Sequence, residues 1–152
     1  MITIAALFFI VAVLGLVYFS FVLQRNHEAV KKSVSINGHI IETEISKSFA
    51  QLSKGLSGRT SLDEGKGMLF IFNFPAKYGF WMKDMKFPLD MIWIKNGKIT
   101  GIEKNVLPPP QTGGLKIYYP PGAIDRVLEV NAGESDKIGI KTGDQIEYLS
   151  IN

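Results

Sequence analysis

Cysteine is absent from this chain, which removes disulfides, thiolate nucleophiles and cysteine metal sites from consideration. Histidine is nearly absent: there are two, His27 in a charged stretch and His39 beside a turn. Neither has a partner at i+3 or i+4, as a helical metal site needs, and neither is placed to act as a general base. No GxGxxG occurs. Gly65-Lys66 imitates the end of a phosphate loop, but Thr60 stands where its first glycine belongs and Gly67 where Ser or Thr is required. A GxSxG elbow is missing too, since Ser57 lies between Leu56 and Gly58. No cofactor is implied. The net charge of +3 is small and dispersed, which argues against nucleic acid as a partner.

Charge is also missing from residues 2–23. At about 1.5 Å per residue, a helix of that length crosses a hydrocarbon core of about 30 Å. The run reads as an uncleaved transmembrane anchor, because only Met1 precedes it and Tyr18 to Leu23 is bulky apart from Ser20, unlike a signal-peptidase site. The chain therefore divides into an anchor at 1–24, a polar tether at 25–32 and a domain at 33–152. A bilayer is the one partner that the composition demands. Arg25, Lys31 and Lys32 follow the run, and the positive-inside rule by itself puts the domain in the cytoplasm.

What the chain has in quantity is aromatic residues in one place. Between Gly67 and Ile94 lie Phe70, Phe72, Phe74, Tyr78, Phe80, Trp81, Phe87 and Trp93. Side chains of that size bury the most area per residue, so this stretch builds the core. Around it the pattern is one of short strands. Asn37-Gly38 is a type I′ turn pair that sets Val34 opposite Ile41, and Asn96-Gly97 makes a second such hairpin. Ser46 or Ser48 caps a short helix to about Lys54, with Phe49 and Leu52 on its inner face and Gly55 ending it.

Gly67 to Asn73 is apolar on both faces, as in a central strand, and Phe74-Pro75 closes it. In Tyr78 to Lys83, alternation groups Phe80 with Met82 and Trp81 with Lys83. Asp90 shares a strand face with Ile92 and Ile94. Ungapped pairing would set Asp90 against Glu103, so a bulge at Gly101 is expected, bringing Ile92 opposite Ile102 and Asp90 opposite Lys104. Residues 107–123 carry five prolines and read as a long loop. Arg126 to Asn131 is a strand, Glu134 to Ile138 a short helix and Gln145 to Ile151 the last strand.

The ordered motifs GLSGR, GMLFIF, FWMKDMKFPLD, LEVNAG and GIKTGD, over roughly Ile36 to Leu149, resemble the DUF192 or UPF0127 family, a domain of unknown function. The resemblance implies a compact, strand-rich, barrel-like α+β fold with short helices, and no established catalytic activity. It also implies export, against the flanking charges, so the domain is expected on the outer face of the cytoplasmic membrane. Asp84-Met85 departs from the family pattern, where Asn-Thr follows FWMK.

Arg59, Trp81, Lys83, Asp90 and Glu129 form the candidate site, a polar set in aromatic surroundings. Two readings of it stand side by side. Buried charges are normally paired, so the set can be an internal lattice that fixes the barrel. It can equally be a pocket for a polar small molecule, a glycan fragment or a carboxylate. In function the chain is expected to be a membrane-anchored binding or interaction module. The alternatives are a hydrolase or lyase using Asp90 and Glu129 as an acid/base pair, or a structural subunit of a membrane complex with a protein partner.

Overall fold

The computed structural model describes residues 32–110 and 114–150. Among them no helix is long and apolar enough to cross a membrane, and the expected anchor at residues 2–23 lies outside them.

Local turn chemistry sets the first hairpin. Asn37 and Gly38 both take positive φ, 53° and 80°, the geometry of a type I′ turn. Strand β1 (Lys32–Ile36) therefore folds onto β2 (His39–Ser46) with Val34 opposite Ile41. Helix α1 (Phe49–Lys54) follows, capped by Ser48 in a reciprocal box: Gln51 N–H donates to Ser48 Oγ, and Ser48 N–H donates to Gln51 Oε1. Phe49 departs from expectation, being 87% exposed, and only Leu52 of this helix is packed against the apolar layer. The helix and the glycine loop after it form the crossover that lets β3 (Lys66–Ala76) pair parallel to β2.

The remaining strands are β4 (Phe80–Trp81), β5 (Leu89–Lys95), β6 (Lys98–Val106), β7 (Ile117–Tyr118), β8 (Ile124–Asn131) and β9 (Ile146–Ser150); α2 (Glu134–Lys137) precedes β9. Seven strands make one sheet in the order β6-β5-β8-β3-β2-β1-β9, and β4 pairs with β7 in a separate ribbon. The sheet curls until its edges meet at one end. There Ile99 N–H donates to Asp144 O at 2.9 Å and Ile146 N–H to Gly97 O at 2.9 Å. The result is a strand-rich half-barrel with few, short helices.

Alternation along β3, β5 and β8 sends side chains into two separate apolar layers. Leu69, Ile92, Ile94, Leu128 and Val130 join Val34, Ile36, Ile41, Ile99, Ile140 and Ile146 inside the curl. On the opposite face Met68, Phe70, Met91, Trp93 and Val127 pack against Leu56, Phe80, Met82 and Met85 from the covering segments. Strand β3 runs past Phe74-Pro75 instead of ending there. Its ladder with β8 lapses between Ile71 and Ala76, so the missing proline N–H is not called upon. Within the expected long loop, β7 gains order by pairing with β4, Trp81 opposite Ile117.

The β5-β6 hairpin carries a bulge one residue from the expected position at Gly101. Trp93 faces Gly101 and Ile94 faces Ile99, leaving Thr100 as the extra residue and setting Ile92 opposite Ile102. A second irregularity follows between Leu89 and Met91. It puts Lys104 and Asn105 together against Asp90, but the Lys104 ammonium turns to Asp136 instead. Asp90 is fully buried and its carboxylate is saturated by neighbouring donors. Asn105 N–H donates to Oδ1 at 2.8 Å; Gly133 N–H, Ser135 N–H and Ser135 Oγ donate to Oδ2 at 3.0, 3.1 and 2.6 Å.

One carboxylate thus ties β5 to β6 and to the start of α2. Asp90→Asn keeps the shape but presents an amide N–H₂ to groups that are all donors, leaving buried polar groups unsatisfied. The expected loss is about 2–4 kcal/mol of unfolding free energy in urea titrations. A loss below about 0.5 kcal/mol would mean that the carboxylate does not hold these elements together.

Candidate functional site

Strand register decides the fate of the two embedded acids. Asp90 lies opposite Val130, and Met91 lies opposite Glu129. Cross-strand partners share a face, so Asp90 points into the curl and Glu129 points to the other side of the sheet. They form no acid/base pair. The hydrolase or lyase arrangement is therefore corrected: a sheet separates its two carboxyls, and one of them is fully occupied by four hydrogen bonds.

Glu129 sits between Met68 of β3 and Met91 of β5 and is 5% exposed. No hydrogen bond or ion pair from a described residue reaches it. Its carboxyl forms part of the lining of a cavity of about 100 Å³ between the sheet and the segments that cover it. The walls are aromatic, contributed by Phe70, Phe72, Tyr78, Phe80 and Trp81. Phe72 and Tyr78 stack at 3.8 Å, and Phe80 meets Phe70 edge-on at 5.2 Å. Leu52, Leu56, Met82, Met85 and Leu89 complete the apolar lining, with Ser53, Lys54 and Ser57 as its polar members. Burial among these groups pushes the Glu129 carboxyl up to about 8.

Of the five candidate residues, Trp81 and Glu129 meet in this cavity and the other three do not. Arg59 lines a neighbouring groove, where its guanidinium forks onto Glu44, Nη1–Oε1 at 2.5 Å and Nη2–Oε2 at 2.7 Å. Its carboxylate partner is internal, supplied by β2. The Arg59 hydrogen bonds hold Glu44's carboxyl below its ordinary value. Both side chains are well exposed, so the pair contributes at most about 1 kcal/mol. Lys83 is exposed, and its carbonyl accepts from Ser57 Oγ at 2.8 Å, joining the β4 segment to the glycine loop. Asp90 belongs to the barrel interior. The set divides accordingly: Asp90 and Arg59 are engaged in internal contacts, and Trp81 and Glu129 line the cavity.

Met85, where the family pattern has another residue, is buried and lines the cavity. Among the described residues no three His, Asp or Glu side chains gather as a metal site.

The DUF192 family, described as "Uncharacterized ACR", matches residues 32–148. The chain belongs to this family. Two solved structures resemble the DUF192 domain. A protein of unknown function from Novosphingobium aromaticivorans DSM 12444 is 32% identical, with 76% of this chain and 83% of that one covered, at a TM-score of 0.69. A protein from Sinorhizobium meliloti 1021, described as a candidate transcription regulator, is 31% identical, with 77% and 93% covered, at a TM-score of 0.70. No curated protein matches the chain.

The raised Glu129 carboxyl gives this DUF192 domain a specific pH dependence. Between about 4.5, the ordinary glutamate value, and about 8, the folded chain keeps a proton that the unfolded chain has released. Stability therefore falls as pH rises through that window and levels off above it. Glu129→Gln cannot ionise and escapes the loss, so its stability relative to the wild type should improve by about 4 kcal/mol between pH 5 and pH 9. Urea titrations of both proteins at the two pH values measure this. A difference that does not change with pH would mean that Glu129 ionises as freely in the fold as out of it.

Proposed function

We propose that the domain is a binding module whose aromatic cavity takes the end of a polar small molecule or glycan substituent. The reading is supported most by the unpartnered Glu129 carboxyl in the cavity: a buried polar group without a protein partner costs free energy that a ligand can recover. Cavity size limits what enters. Benzene fills an engineered cavity of about 150 Å³, so about 100 Å³ admits a substituent and not a whole sugar ring. The rest of such a ligand lies outside, against Trp81, which is 43% exposed.

Thermal-shift and NMR titration of the domain from Lys32 onward, against small polar molecules and glycan fragments, test this reading. That unit is compact by itself. Ligands should perturb the backbone signals of Tyr78, Gly79 and Trp81, and Leu52→Trp, which adds bulk to the cavity lining, should abolish the effect. Perturbations that survive this change, or that map elsewhere, would reject the cavity as the site.

The uncharged run at residues 2–23 supports tethering of this module to a bilayer, and the family resemblance supports the outer face of the cytoplasmic membrane. Protease added to spheroplasts should then digest the domain while the membrane is intact. Protection until detergent is added would reverse the topology.

A further inference from the structure

Resting on the cavity as a binding site, we propose that its ligand presents a positively charged amine head, a primary or methylated ammonium on an aliphatic stem, which pairs with Glu129 as the carboxylate. Three observations on the cavity point the same way. Its walls carry five aromatic rings, whose faces bear partial negative charge and attract cations, and two thioethers, Met82 and Met85, that are polarisable and uncharged. Its one acid has no donor from a described residue, so a neutral apolar ligand would leave that group unsatisfied, and an anion would be repelled by it once it is ionised. Its volume suits an ammonium and the first carbons of its stem. Arg59, the side chain best suited to a carboxylate ligand, faces a different groove and is already engaged by Glu44.

The titratable groups around Glu129 are few. Lys54 lies in the lining but is exposed and makes no ion pair with it, and the Tyr78 hydroxyl is donated to Phe74 O at 2.7 Å. The cross-strand neighbours on β3 and β5 are methionines. Binding is thus a balanced exchange. The neutral carboxyl and the ammonium give a carboxylate-ammonium contact and one proton released to solvent. Because burial holds the empty-site carboxyl near 8, affinity for a permanently charged head rises with pH up to that value, by up to about tenfold per unit. The aromatic walls strengthen the contact in the desolvated site.

The test is calorimetric titration of the domain from Lys32 onward with n-butylammonium chloride and tetramethylammonium chloride, beside the neutral 1-butanol and the anionic sodium butyrate. The titrations run at pH 6, 7 and 9 and in buffers of different ionisation enthalpy. At least one of the two cations should bind about tenfold or more tightly than 1-butanol. Its affinity should rise from pH 6 to pH 9, and its binding at pH 7 should release close to one proton, while butyrate does not bind at pH 9, where the carboxyl is ionised. Glu129→Gln should lose the pH dependence and the proton release. Equal affinity for cation and alcohol, with no proton release, would overturn the amine inference and leave the cavity as a binding site of other specificity. No binding by cation or alcohol, or binding that Leu52→Trp leaves intact, would remove both readings together. The wild-type comparisons decide the matter even if Glu129→Gln fails to fold.

Discussion

A sheet covered on both faces must satisfy most polar side chains it carries from its immediate surroundings, because water has little access to either side. In this domain β3, β8 and β5 are such strands, and the two apolar layers they separate account for most of the core. Two carboxyls are embedded in these strands, one on each face, and the constraint is met for only one of them. Asp90 has backbone and hydroxyl donors brought to it by a bulge in β6 and by the turn into α2. Glu129 has methionines across both ladders and a small void beyond. The difference between a satisfied acid and an unpaired one is therefore a difference in what neighbouring strands supply, not in residue type or burial.

The covering layer is what leaves that void. It consists of a six-residue helix with no buried residue, a glycine loop and a two-stranded ribbon two residues wide. None is a rigid slab in the way a long helix would be, and together they leave a gap of about 100 Å³ over the sheet. Packing the gap shut would need one more large apolar side chain. The cavity keeps its aromatic walls in place through ring contacts that extend to Trp93 on the sheet itself, which meets Phe80 at 5.4 Å. The floor and the walls are thereby one packed unit, although they come from different parts of the chain.

What could be read from sequence was what is local. Both Asn-Gly turns, the Val34-Ile41 pairing, the capping serine and the slipped register that sets Ile92 opposite Ile102 follow from turn chemistry and from the two-residue period of strands. Alternation also separated Trp81 from Phe80 and Met82 correctly. What could not be read is which faces meet. Asp90 and Glu129 seemed one set because each lies among aliphatic residues; that they occupy opposite sides depends on the pairing of β5 with β8, which no local signal encodes. Arg59 meets Glu44 only because the parallel crossover brings the glycine loop beside β2. Phe49 misled because helical spacing marks an inner face without telling whether anything lies against it. The cavity-lining residues Phe70, Phe72 and Met85 carried no signal beyond being apolar.

The register of β1 with β9 has an architectural consequence. Lys32 lies directly opposite Ser150, so the two ends of the domain leave it from neighbouring points on adjacent strands. A short linker could join them without reaching across the fold, and new ends could be opened in the exposed glycine loop at Thr60-Ser61. In such a circular permutant both apolar layers and the void between sheet and cover would keep their composition. The order in which the strands are synthesised would then be separable from the architecture that they build.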